Sequence, residues 1–118
     1  MASSRPIITA LMGSVCLSVS AGCVDIPRGF DSPEPAARID AAAKAAREGD
    51  LGSLAELIRL LESSDPAARL AAIRALERLT GQTMGYEHAG AVPERAAAVE
   101  RWWVWYGEAG SRSVAEAP

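Results

Sequence analysis

Asp65-Pro66-Ala67-Ala68-Arg69-Leu70-Ala71-Ala72-Ile73-Arg74-Ala75-Leu76-Glu77-Arg78-Leu79 is the stretch around which the rest of the chain is arranged. Asp65 can cap a helix, and Pro66 suits the first helical position, where an N–H has no partner anyway. Alanine and leucine follow, both strong helix formers. At 100° per residue Arg74, Glu77 and Arg78 share one narrow polar wedge. Leu70, Ile73, Leu76 and Leu79 sweep a broad arc, and most of the remaining surface is alanine. A helix with so little polar face must be covered on more than one side, so it reads as the inner layer of a stacked helical array.

The pattern also occurs upstream. Pro35-Ala36-Ala37-Arg38-Ile39-Asp40-Ala41 returns as Pro66-Ala67-Ala68-Arg69-Leu70-Ala71-Ala72 at an offset of 31 residues, and Arg47 meets Arg78 in the same register. A fixed offset of this size marks a helical solenoid. The first copy carries Ala42, Ala43, Ala45 and Ala46 where the second has larger residues, and Asp40 where the second has Ala71. A terminal repeat with one face in solvent should look like this. Between the copies, Leu51, Leu54, Leu57, Ile58 and Leu61 fall at helical spacing, with Glu56, Arg59 and Glu62 on other faces. Gly49 stops the preceding helix. Asp50 or Ser53 starts the next one, and Ser53 with Glu56 fits a capping box. Ser63-Ser64-Asp65 then makes a tight turn.

The run from Leu57 to Leu76, through Ser63-Ser64-Asp65-Pro66, resembles a HEAT repeat of the short bacterial kind. Asp65, Pro66, Arg69, Ala72 and Ala75-Leu76 are the matching positions, and the resemblance covers roughly residues 35–79. It implies stacked helix pairs and a structural role for Arg38 and Arg69, both close to the apolar arc. Each arginine would bond acidic or carbonyl groups of the adjacent turn, and Asp65, four residues before Arg69, could take part. Ligand binding by these arginines is the alternative. Residues 80–106 look like a tail attached to such repeats in some bacterial envelope proteins, with Thr80-Gly81-Gln82, then Gly85-Tyr86, then a tryptophan-rich helix.

That tail holds the one long loop, residues 81–92. Gly81 fits a helix stop. The glycines are not a phosphate loop, since the lysine-serine pair is missing. Tyr86, Glu87 and His88 form the only cluster of side chains with catalytic chemistry, but His88 has no partner histidine or cysteine for a metal and no nucleophile motif accompanies it. Met84 and Tyr86 are expected to fold back over the end of the helix stack. From Pro93 to about Tyr106 a last helix aligns Ala96, Val99, Trp103 and Tyr106 to seal the array. Trp102 sits at the border and Trp105 on the otherwise polar side. These two are the candidate partner-binding residues, because tryptophan is enriched at binding hot spots; packing bulk for an alanine-rich core is the plainer reading.

The amino terminus carries an address. Arg5 precedes an uncharged, mainly apolar run from Ile7 to Val19, too short for a stable membrane span, and small residues follow. Ser20-Ala21-Gly22-Cys23 resembles a lipobox, in which the cysteine is acylated and becomes the first mature residue, although Ser20 replaces the usual leucine. Lipidation of Cys23 is expected, with plain secretion or an uncleaved anchor as the alternatives. Val24 in the second mature position resembles lipoproteins sent on to an outer membrane. Asp25 to Glu34, with Pro27, Gly29, Ser32 and Pro33, reads as a tether. Its one aromatic residue, Phe30, either docks on the first helix or stays solvated.

Composition bounds what remains. In 118 residues with a net charge of −3 and a pI near 5.1, acids and bases are interspersed. The sequence shows neither a basic stripe for nucleic acid nor a polybasic run for a membrane. Cys16 and Cys23 both precede the body, so no disulfide framework holds it.

The expected layout is a signal peptide over 1–22, a flexible tether over 23–34, an all-α body over 35–107 and a disordered tail over 108–118. The body is a short HEAT-like α-solenoid of about four helices, near 35–48, 51–62, 66–80 and 93–106. A body of this size lies near the lower limit for a core without staples, so self-association or a partner would add burial. The resemblance implies a non-enzymatic protein–protein interaction module held at the bacterial cell envelope, facing the periplasm or exterior, with an envelope protein as partner. No catalytic, cofactor-binding or metal residue is expected. The competing expectation is a small envelope enzyme or ligand-binding lipoprotein working through the Tyr86–His88 loop.

Overall fold

In the computed structural model the described residues are 29–115, with side chains described as far as Arg112. The expected signal segment, the acylation candidate Cys23 and the tether as far as residue 28 lie outside the described residues, as do residues 116–118. The described part is all-helical. A 3-10 turn at Gly29–Asp31 leads into α1 (Pro35–Glu48), a second at Leu51–Ser53 leads into α2 (Leu54–Leu60), and α3 (Pro66–Thr80) and α4 (Val92–Ala115) follow. No helix among the described residues is long and apolar enough to cross a membrane.

The helix starts follow from local chemistry. Asp65 has extended backbone (φ −81°, ψ 117°), and its carboxylate accepts from the Ala67 N–H at 2.9 Å while Pro66 occupies the first turn of α3. Glu34 has nearly the same backbone (φ −79°, ψ 120°) before α1 but makes no side-chain cap, its longer side chain being a poor fit for that bond. The repeat also reaches further upstream than its proline. Ser32 Oγ accepts from the Glu34 N–H at 3.1 Å, and Ser63 Oγ accepts from the Asp65 N–H at 3.2 Å, so both helices are entered through the same serine turn.

Glycines with left-handed backbone end α1 and α3: Gly49 has φ 65° and Gly81 has φ 72°. Both serve as the C-terminal stops that such conformations supply. Before α2 it is Asp50 that organises the start, accepting from the Gly52 N–H at 3.0 Å and from the Ser53 hydroxyl at 2.7 Å. Ser53 therefore makes no cap of its own, and the expected capping box with Glu56 does not form.

Packing follows the alanine pattern. α1 lies against α3, α2 packs on α3, and α4 contacts α2. Ala42 and Ala45 of α1 meet a core containing Ala68, Ala72 and Leu76 of α3 and Leu57, Ile58 and Leu61 of α2, all buried. Small residues on facing sides bring helix axes to the near end of the usual 8–10 Å separation. Within the described part of the tether, Phe30 is half-buried against this core and Ser32 is only 3 % exposed, so residues 30 and 32 are held to the body.

Two features of α4 differ from the sequence reading. The helix does not end at Tyr106 or release a tail at Gly107; it continues through Gly107 and Gly110 to Ala115. Neither glycine takes positive φ, and the Ser111 hydroxyl donates back to the Gly107 carbonyl at 2.9 Å. The buried face is also turned, by about 75° at 100° per residue. Ala98, Val99 and Trp102 are buried, whereas Ala96 is exposed and Tyr106 is 38 % exposed. The loop before α4 sets this rotation, because it supplies the acceptor that a buried indole N–H needs.

Candidate functional site

Residues 81–91 join α3 to α4, and they hold the side chains with the most reactive chemistry. Their turn is tight: Met84 has φ 51° and Gly85 has φ 70°. Tyr86 is 3 % exposed, and its phenol donates to the Leu61 carbonyl at 2.6 Å, tying the loop to the end of α2. Burial pushes the Tyr86 phenol above its ordinary value, which the nearby Arg69 and Arg95 cations partly oppose.

Arg69 makes the second tie. It is 8 % exposed and donates only to main-chain oxygens: Nε to His88 at 3.1 Å, and NH1 to Ser63 at 2.9 Å and Ser64 at 3.2 Å. Of the two acceptor kinds expected for it, the carbonyls of the adjacent turn are used; the Asp65 carboxylate caps α3 instead. Arg38 repeats the arrangement one copy earlier, with NH1 donating to the Ser32 carbonyl at 3.0 Å and the Pro33 carbonyl at 3.5 Å. Its Nε is buried without a partner. The difference has a structural origin. The second repeat has the long 81–91 loop to fold back over its arginine, while the first has only the Gly49-Asp50 turn at the corresponding place.

α4 supplies three further clamps on the same loop. Arg95 donates to the Gly90 carbonyl at 2.6 Å, Arg101 Nε to the Met84 carbonyl at 2.9 Å, and Trp102 Nε1 to the Thr83 carbonyl at 3.1 Å. Trp102 is fully buried, so it offers no surface to a partner. Trp105 meets it edge-to-face at 5.5 Å and is half-buried. Its outer side lines a groove of about 420 Å³ with Leu51, Leu54, Leu79 and Tyr106. Trp103 packs edge-to-face on Tyr106 at 5.9 Å and lies under the Arg59 guanidinium at 5.8 Å.

Tyr86, Glu87 and His88 thus lie together as the sequence implies, but what they contribute is main chain and one phenol. The His88 carbonyl is committed to Arg69 and the Tyr86 hydroxyl to Leu61, while Glu87 is exposed. No group of three or more His, Cys, Asp or Glu side chains comes together among the described residues. Sequence reasoning missed two participants. Ser32 and Ser63 carry the repeat's 31-residue offset and could have been found by extending it upstream. Carbonyl acceptors at Thr83, Met84, His88 and Gly90 leave no side-chain signal to find.

No protein-family model, curated protein or solved structure matches the chain.

Proposed function

We propose that this chain is a non-enzymatic protein–protein interaction module, a short HEAT-like scaffold tethered to the bacterial cell envelope through a lipid on Cys23. One observation carries the scaffold reading: the loop bearing Tyr86, Glu87 and His88 is built into the fold through the Tyr86 phenol and the His88 main chain. The Tyr86 hydroxyl and the His88 carbonyl pin the loop to α2 and to Arg69, with distances of 2.6 and 3.1 Å. A catalytic phenol or base must instead reach a proton on a bound substrate. What the body offers to its surroundings is helix surface, with the half-buried Trp105 at the rim of an apolar groove. An indole so placed can bury its exposed edge in a partner.

The tether reading rests on the Ser20-Ala21-Gly22-Cys23 motif after an apolar run. Intact mass of the protein from native membranes tests it. A mass equal to residues 23–118 plus a diacylglyceryl group and an acyl chain is expected; an unlipidated mass removes the anchor. The scaffold reading is tested by the affinity of the Trp105→Ala variant for the envelope partner. A drop of about tenfold in a variant that still folds is expected for a hot-spot indole, and unchanged affinity with intact folding rules Trp105 out.

A further inference from the structure

The outer side of the α1–α3 layer brings Arg47 of α1 together with two arginines of α3 far from it in sequence. Arg47 of α1 and Arg74 and Arg78 of α3 line a groove of about 320 Å³ whose remaining walls are Ala43, Ala46, Ala71 and Ala75. All three arginines are exposed, and none makes a hydrogen bond or ion pair among the described residues. Glu48 and Glu77 adjoin them in sequence but do not line the groove. In a chain whose net charge is −3, this is a local concentration of positive charge against the overall sign.

Ordinary helix physics accounts for part of it. Arg47 and Arg78 lie in the last turns of α1 and α3, where cations complement the helix dipole. Arg74 lies in the middle of α3, away from the end of the dipole, with Glu77 three residues on. Four residues before Arg78, it places like charges on one face, which is unfavourable by a few tenths of a kcal/mol. The alanine walls leave the guanidinium groups standing above a shallow, methyl-lined floor to which a backbone can come close.

We infer that this groove docks an extended acidic segment of a partner protein. The spacing supports the extended form: Arg74 and Arg78 are separated by about 6 Å of helix rise, and carboxylates two residues apart in an extended chain project on one side about 6.6 Å apart. Arginine favours such a ligand because its planar fork pairs with carboxylates through two parallel hydrogen bonds. A lipid surface is the alternative that the vesicle control below separates. This inference rests on the interaction-module reading and specifies one of its surfaces.

The test uses the full chain in detergent and a fluorescent peptide of alternating serine and glutamate, read by anisotropy. The controls are the same peptide with glutamine, inorganic phosphate, and vesicles containing phosphatidylglycerol. The glutamate peptide is expected to bind and the glutamine peptide not. Arg74→Gln should weaken binding about fivefold, and R47Q/R74Q/R78Q together by about fiftyfold, with Arg112→Gln unchanged. Binding should also fall as salt is raised. Each variant alters exposed side chains only, and circular dichroism checks that it folds. Equal binding of both peptides, no binding of either, or an equal loss in Arg112→Gln overturns the groove. So does phosphate competing at concentrations equal to the peptide's, or vesicle binding through these arginines without peptide binding. An identified envelope partner held equally by wild type and the triple variant overturns the groove and leaves the module reading standing. If no partner is retained by either protein, both fall.

Discussion

Arg38 and Arg69 occupy equivalent positions 31 residues apart, and each sends NH1 to the carbonyl of the equivalent serine, Ser32 or Ser63, at 3.0 and 2.9 Å. They differ at Nε, which reaches the His88 carbonyl in Arg69 and is unpartnered in Arg38. The second arginine is thus a three-way tie between the α2–α3 turn, α3 and the loop before α4, and the first is a local brace.

Their substitution should therefore be unequal. Arg69→Ala removes a buried arginine that donates to three part-buried carbonyls and is expected to cost about 2 kcal/mol. Arg38→Ala, at a half-buried site with one long bond of 3.5 Å, is expected to cost about 1 kcal/mol. Urea denaturation measures both. Hydrogen exchange should show faster opening of residues 81–91 in the Arg69 variant alone. Equal costs would mean that the His88 contact contributes nothing.

The buried Tyr86 phenol gives stability a pH dependence. Its folded value is raised by burial, so the folded state holds the proton more tightly than the unfolded chain does. The associated stability is complete below pH 10 and declines as pH rises through the folded value. Wild type should lose stability faster than Tyr86→Phe above pH 10. At neutral pH the variant should be weaker by about 1–2 kcal/mol, because the Leu61 carbonyl loses its donor. Parallel melting curves between pH 8 and 11 measure both effects.

Trp102 and Trp105 separate by role. Trp102→Phe removes a fully buried indole and its bond to Thr83, and should cost about 2–4 kcal/mol. Trp105→Ala leaves that bond in place and should affect stability less while altering the groove it lines. Thermal melts of the two variants, with indole fluorescence as the probe, read this difference. A Trp105 variant less stable than the Trp102 one would reverse the assignment of core and surface.

Gly49 and Gly107 both have open space where a Cβ would stand, but only Gly49 has positive φ, at 65°. Gly107→Ala should raise helicity and stability by about 0.5–1 kcal/mol. Gly49→Ala should destabilise by about 1 kcal/mol, because alanine is strained in left-handed backbone. Far-ultraviolet circular dichroism during melting tests the opposite signs.

These contrasts show which parts of the fold are written in side-chain pattern. Pro35, Gly49, Pro66 and Gly81 mark helix ends through fixed or permissive backbone, and α1 and α3 match their expected bounds, 35–48 and 66–80. α4 was harder to read for two reasons. Gly107 and Gly110 are weak helix residues that tertiary context and the Ser111 back-bond tolerate. The face α4 buries depends on where Trp102 finds an acceptor, and that acceptor is main chain from Thr83. The 81–91 loop shows the same limit. Tyr86, Glu87 and His88 suggest chemistry by composition, while the bonds that define their role run to and from carbonyl groups. The arginine groove is partly legible, since Arg47 and Arg78 share the repeat register and Arg74 lies one turn before Arg78, but that the three line one groove shows only once the helices stack.

In the proposed function the Tyr86–His88 loop is structural and the chain works through its outer helix surface. It is tested by the dissociation constant of a protein partner recovered with the wild type, measured for wild type and for a variant carrying Glu87→Gln and His88→Ala. Both substitutions leave the His88 carbonyl bond to Arg69 intact, so the account predicts equal affinity and equal melting for the two proteins. A variant that melts like wild type but loses its partner, or loses turnover of a substrate, would place function in the loop and contradict the account.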